Sequence, residues 1–505
     1  MQTGAVTNAL LERAAQSERQ GDLQHALALY RQVLFSDPRN FTALVNLGIA
    51  ATRSGHDAEA QGLLEAALVT RPQSVETWVA LGNSHARSGA YGRAVQAFTR
   101  AAALRPDLAA IHLNLGNALR RCGRIDEALA SLELGVSLQP DFALGHFNLG
   151  MALADAGENE RACAEYARSL ELDPGHAAAR VNLGNLQLRM NRADDARICF
   201  EQVLKDSPEF PNARYNFGVA LQSLGRNREA ARVFGEVLKR EPSRLDARNN
   251  LIVSLIRDGQ SAAALEETSA YLQKSAGNPK ALAYQAAALL ELGRREEAAV
   301  LLDYAHLVEE REVTTPPEFA SRTAFNTALA AQVLAHDTLT HEPVDKATRG
   351  GSQTAEFTYG LGGAAAALRE QIVAHVRTYM DRMRAALPEH PFVHGLPERW
   401  RLATWAVALQ SQGYQGPHFH PDGRVSGVYY AAIPPGVSTQ AFGAGCLEFG
   451  RTNEAIGGSA EPLLRVVAPR GGLMVLFPSY FYHRTIPFEA AHPRISIAFD
   501  VLPEP

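Results

Sequence analysis

Three histidines and an arginine toward the C-terminal end are the side chains best placed to do chemistry together. His418, His420 and Asp422 sit in the run GPHFHPDGRVSGVYY, just ahead of an aromatic, β-branched stretch. His483 follows another such stretch in LMVLFPSYFYHRTIPF, and Arg494 opens RISIAFDVL eleven residues later. In an extended chain, residues i and i+2 point to one side. Two of the first three groups can therefore grip one metal ion, and a distant third completes a facial set that leaves coordination positions open to substrates. A single histidine beside a strand is ordinarily just a satisfied polar residue. Several at this spacing, followed by Arg-x-Ser, argue for a metal.

Such groups need a rigid frame. From about residue 398 the stretches RWRLATWAVAL, RVSGVYYAAIP, GCLEF, LLRVVAP, GLMVLFP and RISIAFDVL alternate with Gly/Pro turns. Short strands at this spacing predict a sandwich or barrel, with its β-core at about 398–503 inside a domain spanning 320–505. Helices are expected at 320–336 and 361–387, with the loop KATRGGSQT between them, and Pro316 and Pro317 mark 313–319 as a linker. Trp405, Phe477 and Phe499 are expected in the barrel core; Cys446, Glu448 and His492 are given no role.

Taken in order, these motifs resemble the 2-oxoglutarate/Fe(II) oxygenases, which are double-stranded β-helix (jelly-roll) enzymes. They are most similar to a bacterial and phage branch with an HxH…SGVYY…FPS…H…RISI pattern, over about 318–505. The resemblance implies Fe(II) as the metal and 2-oxoglutarate as co-substrate. It makes His483 the distal ligand and Arg494 the cation that meets the far carboxylate of 2-oxoglutarate bidentately. Ser496, two residues on and on the same face, and Tyr430, from across the barrel, would donate to that carboxylate. Ser426 and Val428 share the face of Tyr430, and Tyr429 points the other way. The superfamily motif is HxD or HxE. Here His418-Phe419-His420 has histidine at the carboxylate position, whereas His420-Pro421-Asp422 fits HxD in letters. His418 and His420 are preferred, because Pro421-Asp422-Gly423 reads as a turn; Asp422 is the alternative ligand. A three-histidine set carries one less negative charge.

The upstream chain is a repeat. Prolines at Pro38, Pro72, Pro106, Pro140, Pro174, Pro208 and Pro242 keep an interval of 34, and so does a glycine series from Gly21 to Gly293 in which Asn191 fills one gap. Period and pattern resemble the tetratricopeptide repeat, a helix–turn–helix unit. Nine repeats start at 7, 41, 75, 109, 143, 177, 211, 245 and 279, giving an all-α solenoid over 7–312. Asn46, Asn114, Asn148, Asn182, Asn216 and Asn250 share one register, interrupted by Ala80. An amide matches the donor and acceptor of a peptide unit. The series resembles the asparagine ladder of the O-linked N-acetylglucosamine transferases, which implies a protein or peptide partner on a concave face. Equally, these asparagines could simply bond neighbouring backbone.

Composition bounds the rest. The chain has 505 residues, 46% apolar and 20% charged, enough for about three packed domains. A net charge of −5 gives no basic field for nucleic acid. No apolar run is long enough to cross a bilayer, and MQTGAVTNALLERAAQSERQ is not a secretory signal. Four scattered cysteines argue against structural zinc and disulfides, so a cytoplasmic protein is expected. The reaction expected is hydroxylation of a protein or peptide coupled to decarboxylation of 2-oxoglutarate. The alternatives are the same chemistry on a small molecule, with the solenoid as an assembly scaffold, and a non-enzymatic adaptor with a degenerate barrel.

Overall fold

The computed structural model describes residues 2–504 apart from 344–345, 436, 438–442 and 454–455. The chain divides into two compact units after Ala220.

The first unit is helical. Helices pair as Phe41–Arg53 with Asp57–Thr70, Val75–Arg87 with Tyr91–Leu104, and onward at the repeat interval through Ala177–Arg189 with Ala193–Asp206. The turn glycines take a left-handed conformation, φ +87° at Gly55 and +78° at Gly89, and Asn191 adopts the same region at φ 59°. That is why asparagine can stand in the glycine series. The second glycine series lets paired helices close up: a Cβ on Gly82 would lie 2.5 Å from the Phe98 ring. These pairs form the expected solenoid, each repeat burying its apolar side against the next.

The second unit opens with Asn227–Arg240, Leu245–Arg257, Ser261–Lys274, Pro279–Glu291 and the short Arg295–Leu301. A sheet follows. Its strands are β1 (Glu309–Glu312), β2 (Thr340–His341), β3 (Thr348–Gln353), β4 (Trp400–His418), β5 (Val425–Ala432), β6 (Leu447–Phe449), β7 (Arg465–Val467), β8 (Leu473–Pro478), β9 (His483–Thr485) and β10 (Arg494–Pro503). All pairings are antiparallel, in the order β1-β8-β5-β10-β4-β9-β6-β7, with β2 and β3 added at β4. This curled sheet is consistent with a jelly roll. Helices Arg322–Leu334 and Ala364–Ala386 flank it; the Tyr429 hydroxyl donates to Asn326 on the first of them.

The repeat period and the compact units divide the chain at different places. The last repeat and the turn before it pack on the sheet domain: Glu291 accepts the Ala460 N–H at 2.8 Å, Tyr480 donates to the Leu301 carbonyl, and a Cβ on Gly277 would lie 2.3 Å from the Gly395 Cα. Residues 309–312, inside the stretch counted as repeats, form β1 and pair with β8. Most of the expected loop KATRGGSQT is strand β3. Its glycines signal close approach, because a Cβ on Gly351 would lie 2.7 Å from the Ala408 carbonyl oxygen across the bulge between Arg349 and Gly351.

Gly427 is tightly enclosed in the barrel wall, since a Cβ there would sit 2.2 Å from the Phe499 ring and 2.7 Å from the Val475 carbonyl oxygen. Gly427→Ala should therefore destabilise this unit by about 1–3 kcal/mol, read as a lower urea midpoint. An unchanged midpoint would show that the wall gives way without cost.

Candidate metal centre

β4 changes partners along its length. Its first part pairs with β10, from Trp400↔Pro503 to Leu409↔Arg494, and its end pairs with β9, where His418 stands opposite His483. The two rings lie 4.4 Å apart, centroid to centroid. His420, two residues past the end of β4, is tied by its backbone N–H to the Ser479 carbonyl at 2.9 Å, and its ring lies 5.2 and 5.0 Å from the other two. One ring nitrogen from each histidine lies within 4.8 Å of the others.

The remaining nitrogen of each ring is engaged. Nδ1 of His418 meets the Gly416 carbonyl at 2.7 Å, Nδ1 of His483 meets the Phe481 carbonyl at 2.9 Å, and Nδ1 of His420 meets the Asp500 carboxylate at 2.6 Å. These oxygens accept, so Nδ1 carries the proton and Nε2 keeps its lone pair. Burial, reinforced by the neighbouring His420, pushes His418 down to about 4. Burial and the other two histidines hold His483 well below the ordinary imidazole range. Three imidazoles whose Nε2 atoms face one another within 4.8 Å suit a first-row divalent cation. Asp422 is not among them; it is exposed on the bend beside Arg424.

A wall carrying a buried cation adjoins this cluster. On β10 the alternation puts Arg494, Ser496 and Ala498 on the face that lines the cavity with the histidines, and Ser496 pairs in register with Tyr430 of β5. Arg494 is only 2% exposed, its Nε has no hydrogen-bond partner, and no carboxylate among the described residues lies within ion-pair distance. Its guanidinium lies 4.9 Å from the Tyr430 ring, whose buried hydroxyl also lacks a hydrogen bond. A buried cation without a carboxylate, beside the partnerless Tyr430 hydroxyl, suits a carboxylate. The cavity itself is narrow, about 30 Å³, roughly one water's share of liquid volume.

Several contributors escape a reading from motifs. Trp405 and Phe477 pack in the core as expected and also line the cavity, with ring centroids 5.5 Å from His420 and 4.8 Å from His483. Gln415 lines it too. Buried Glu448 accepts from Arg484 at 2.6 Å and Arg451 at 2.9 Å, tying β6 to the strand that carries His483. Asp500 was open to detection, since it continues the i+2 series from Arg494. In the solenoid, the Asn114 amide donates to Asn83 at 3.4 Å and the Asn216 amide to Asn185 at 2.7 Å. Asn148 is buried, and Asn182 and Asn250 are half-buried.

A family model described as "Putative 2OG-Fe(II) oxygenase" matches residues 403–500. Tetratricopeptide-repeat models match 85–146 and 153–216, and 18–75, 53–109 and 215–279. The chain thus carries tetratricopeptide repeats followed by a domain of that oxygenase family. No curated protein matches it. Among solved structures, MamA is 26% identical over 33% of this chain and 96% of its own, with a TM-score of 0.31. YrrB, described as a TPR protein with an unusual peptide-binding site, is 20% identical over 37% of this chain and 96% of its own, at a TM-score of 0.32. A thermophilic TPR protein of Thermus thermophilus is 22% identical over 36% of this chain and 99% of its own, at 0.31.

The buried histidines give the metal-free protein an acid sensitivity with a definite sign. The folded His418 sits at about 4 against an ordinary 6.5. Between those values the unfolded chain binds more protons, so stability falls as pH falls. The Tm of metal-free protein should drop as pH is lowered from about 6.5 toward 4, and His418→Asn should flatten that drop. Equal slopes for both proteins would refute this.

Proposed function

We propose that the chain is a 2-oxoglutarate- and Fe(II)-dependent dioxygenase that hydroxylates a protein or peptide recruited by its tetratricopeptide solenoid. The observation that carries this reading is Arg494: a buried guanidinium with no carboxylate partner among the described residues, lining the same cavity as three converging imidazoles. Bound Fe(II) would supply the oxidising chemistry that couples decarboxylation of 2-oxoglutarate, to succinate and CO₂, with hydroxylation of the second substrate.

The chain's own residues do the rest. His418, His420 and His483 hold the metal through Nε2, while their Nδ1 bonds fix ring orientation. Arg494 takes the far carboxylate of 2-oxoglutarate bidentately, and Ser496 and Tyr430 add hydroxyl donors to it. Trp405 and Phe477 keep bulk water from the reacting face. Asp422 stays outside the ligand set as a turn residue. In the solenoid, Asn114, Asn148, Asn182, Asn216 and Asn250 clamp an extended peptide backbone. An amide has two N–H donors and an accepting oxygen, so a bond to the preceding repeat leaves capacity for a peptide.

Anaerobic reconstitution with Fe(II), then 2-oxoglutarate and O₂, should yield succinate, faster when the protein substrate is present. Arg494→Ala removes a charge-assisted contact of about 1.5–3 kcal/mol. It should weaken 2-oxoglutarate binding at least tenfold in calorimetry, whereas Asp422→Ala should leave turnover measurable. Undiminished 2-oxoglutarate affinity in Arg494→Ala would sink the reading.

The solenoid's part has its own check. Changing Asn148, Asn182 and Asn216 together to Ala should abolish recovery of protein partners in pull-downs, with helicity by circular dichroism and uncoupled succinate formation unchanged. Identical partners for both proteins would make the series structural.

A further inference from the structure

Among the described residues, Asp500 is the one carboxylate in contact with the histidine cluster. Its Oδ1 accepts from His420 Nδ1 at 2.6 Å and from the Ser426 hydroxyl at 2.6 Å. Ser426 lies 2.8 Å from the Ser479 hydroxyl, so the two serines form a short relay that holds the carboxylate in place. The register supports this, since Asp500 stands opposite Ser426 in the β10–β5 pairing. Gly423 closes the remaining side: a Cβ there would lie 2.7 Å from Ser479 Oγ and 3.3 Å from the Asp500 carboxyl carbon. The side chain is 13% exposed, and among the described residues its ion-pair partner is His420 alone, with no lysine or arginine to balance it. A partly buried carboxylate without a cation is costly, unless positive charge sits beyond the ring it contacts.

We propose that Asp500 is the carboxylate of this metal centre at one remove. Through the Nδ1–H of His420 it gives a three-histidine site the negative charge that a coordinated carboxylate would supply. A carboxylate on the far nitrogen of a metal-bound imidazole raises the donor strength of the near one, and loss of such a partner lowers metal affinity about 10–100-fold. Asp500 is thus a positioning residue that acts on the metal through His420. The inference rests on the three histidines being the ligands.

The test uses the full chain, stripped of metal and titrated anaerobically with Fe(II) or Mn(II) alone. Asp500→Asn keeps the shape and removes the charge. It should weaken metal binding at least tenfold and raise the Fe(III)/Fe(II) potential, with the Tm of the metal-free protein little changed. Asp500→Glu, which restores the charge, should recover part of both. If His418→Ala loses the metal while Asp500→Asn binds it as tightly as wild type at an unchanged potential, Asp500 is only structural and the proposal fails alone. If wild type binds neither ion, or His418→Ala binds as wild type does, the ligand assignment fails and takes the proposal with it. Should Asp500→Asn not fold, Ser426→Ala serves instead. Losing the orienting hydroxyl should move affinity and potential in the same directions by smaller amounts, and no movement overturns the idea.

Discussion

The register of β10 between β4 and β5, together with the handover of β4 from β10 to β9, is the constraint on which the site depends. Because side chains alternate across a sheet, a slip of one residue in either pairing would turn a whole set to the wrong face. The observed register puts Arg494, Ser496, Ala498 and Asp500 on one face of one strand and sets His418 opposite His483. Residues far apart in sequence thus meet within a few ångströms without any one loop having to place them.

The charges at the two ends of that strand face follow from the same alternation. Among the described residues, Arg494 has no carboxylate to meet, and Asp500 has no lysine or arginine. They are six residues apart, about 20 Å along an extended chain, too far to neutralise each other. Between them lie three histidines, and burial favours the neutral form of His418 and His483. Each unpaired group is expensive in isolation. Together they fit a divalent cation flanked on one side by a carboxylate ligand of its own and on the other by a carboxylate of the protein.

The last repeat is part of this arrangement. Tyr284, on the helix Pro279–Glu291, meets the ring of Phe419 edge-on at 6.2 Å, and Phe419 in turn packs on Tyr482 at 4.9 Å. Phe419 stands between two histidines of the cluster and Tyr482 immediately precedes the third. Helical repeat and histidine cluster therefore share one packed aromatic layer.

The repeat was plain in the sequence because its determinants are local: a left-handed turn residue, a small residue where helices touch, a proline where a helix must stop. His418, His420, His483, Arg494, Ser496 and Tyr430 stood out because motif and alternation are also short-range signals. The partners of Asp500, the roles of Trp405, Phe477 and Glu448, and the strand at KATRGGSQT were not readable there. Each depends on which strand lies alongside, and that is a long-range pairing. Glycine in Gly350-Gly351 looks the same in a loop as in a strand that must approach its neighbour closely, until the neighbour is known. The choice between Asp422 and His418 had the same character. In letters both fit a metal motif. The tertiary structure separates them, because β9 pairs with the end of β4 and brings His483 against His418, while Asp422 turns out to solvent beyond the last paired residue.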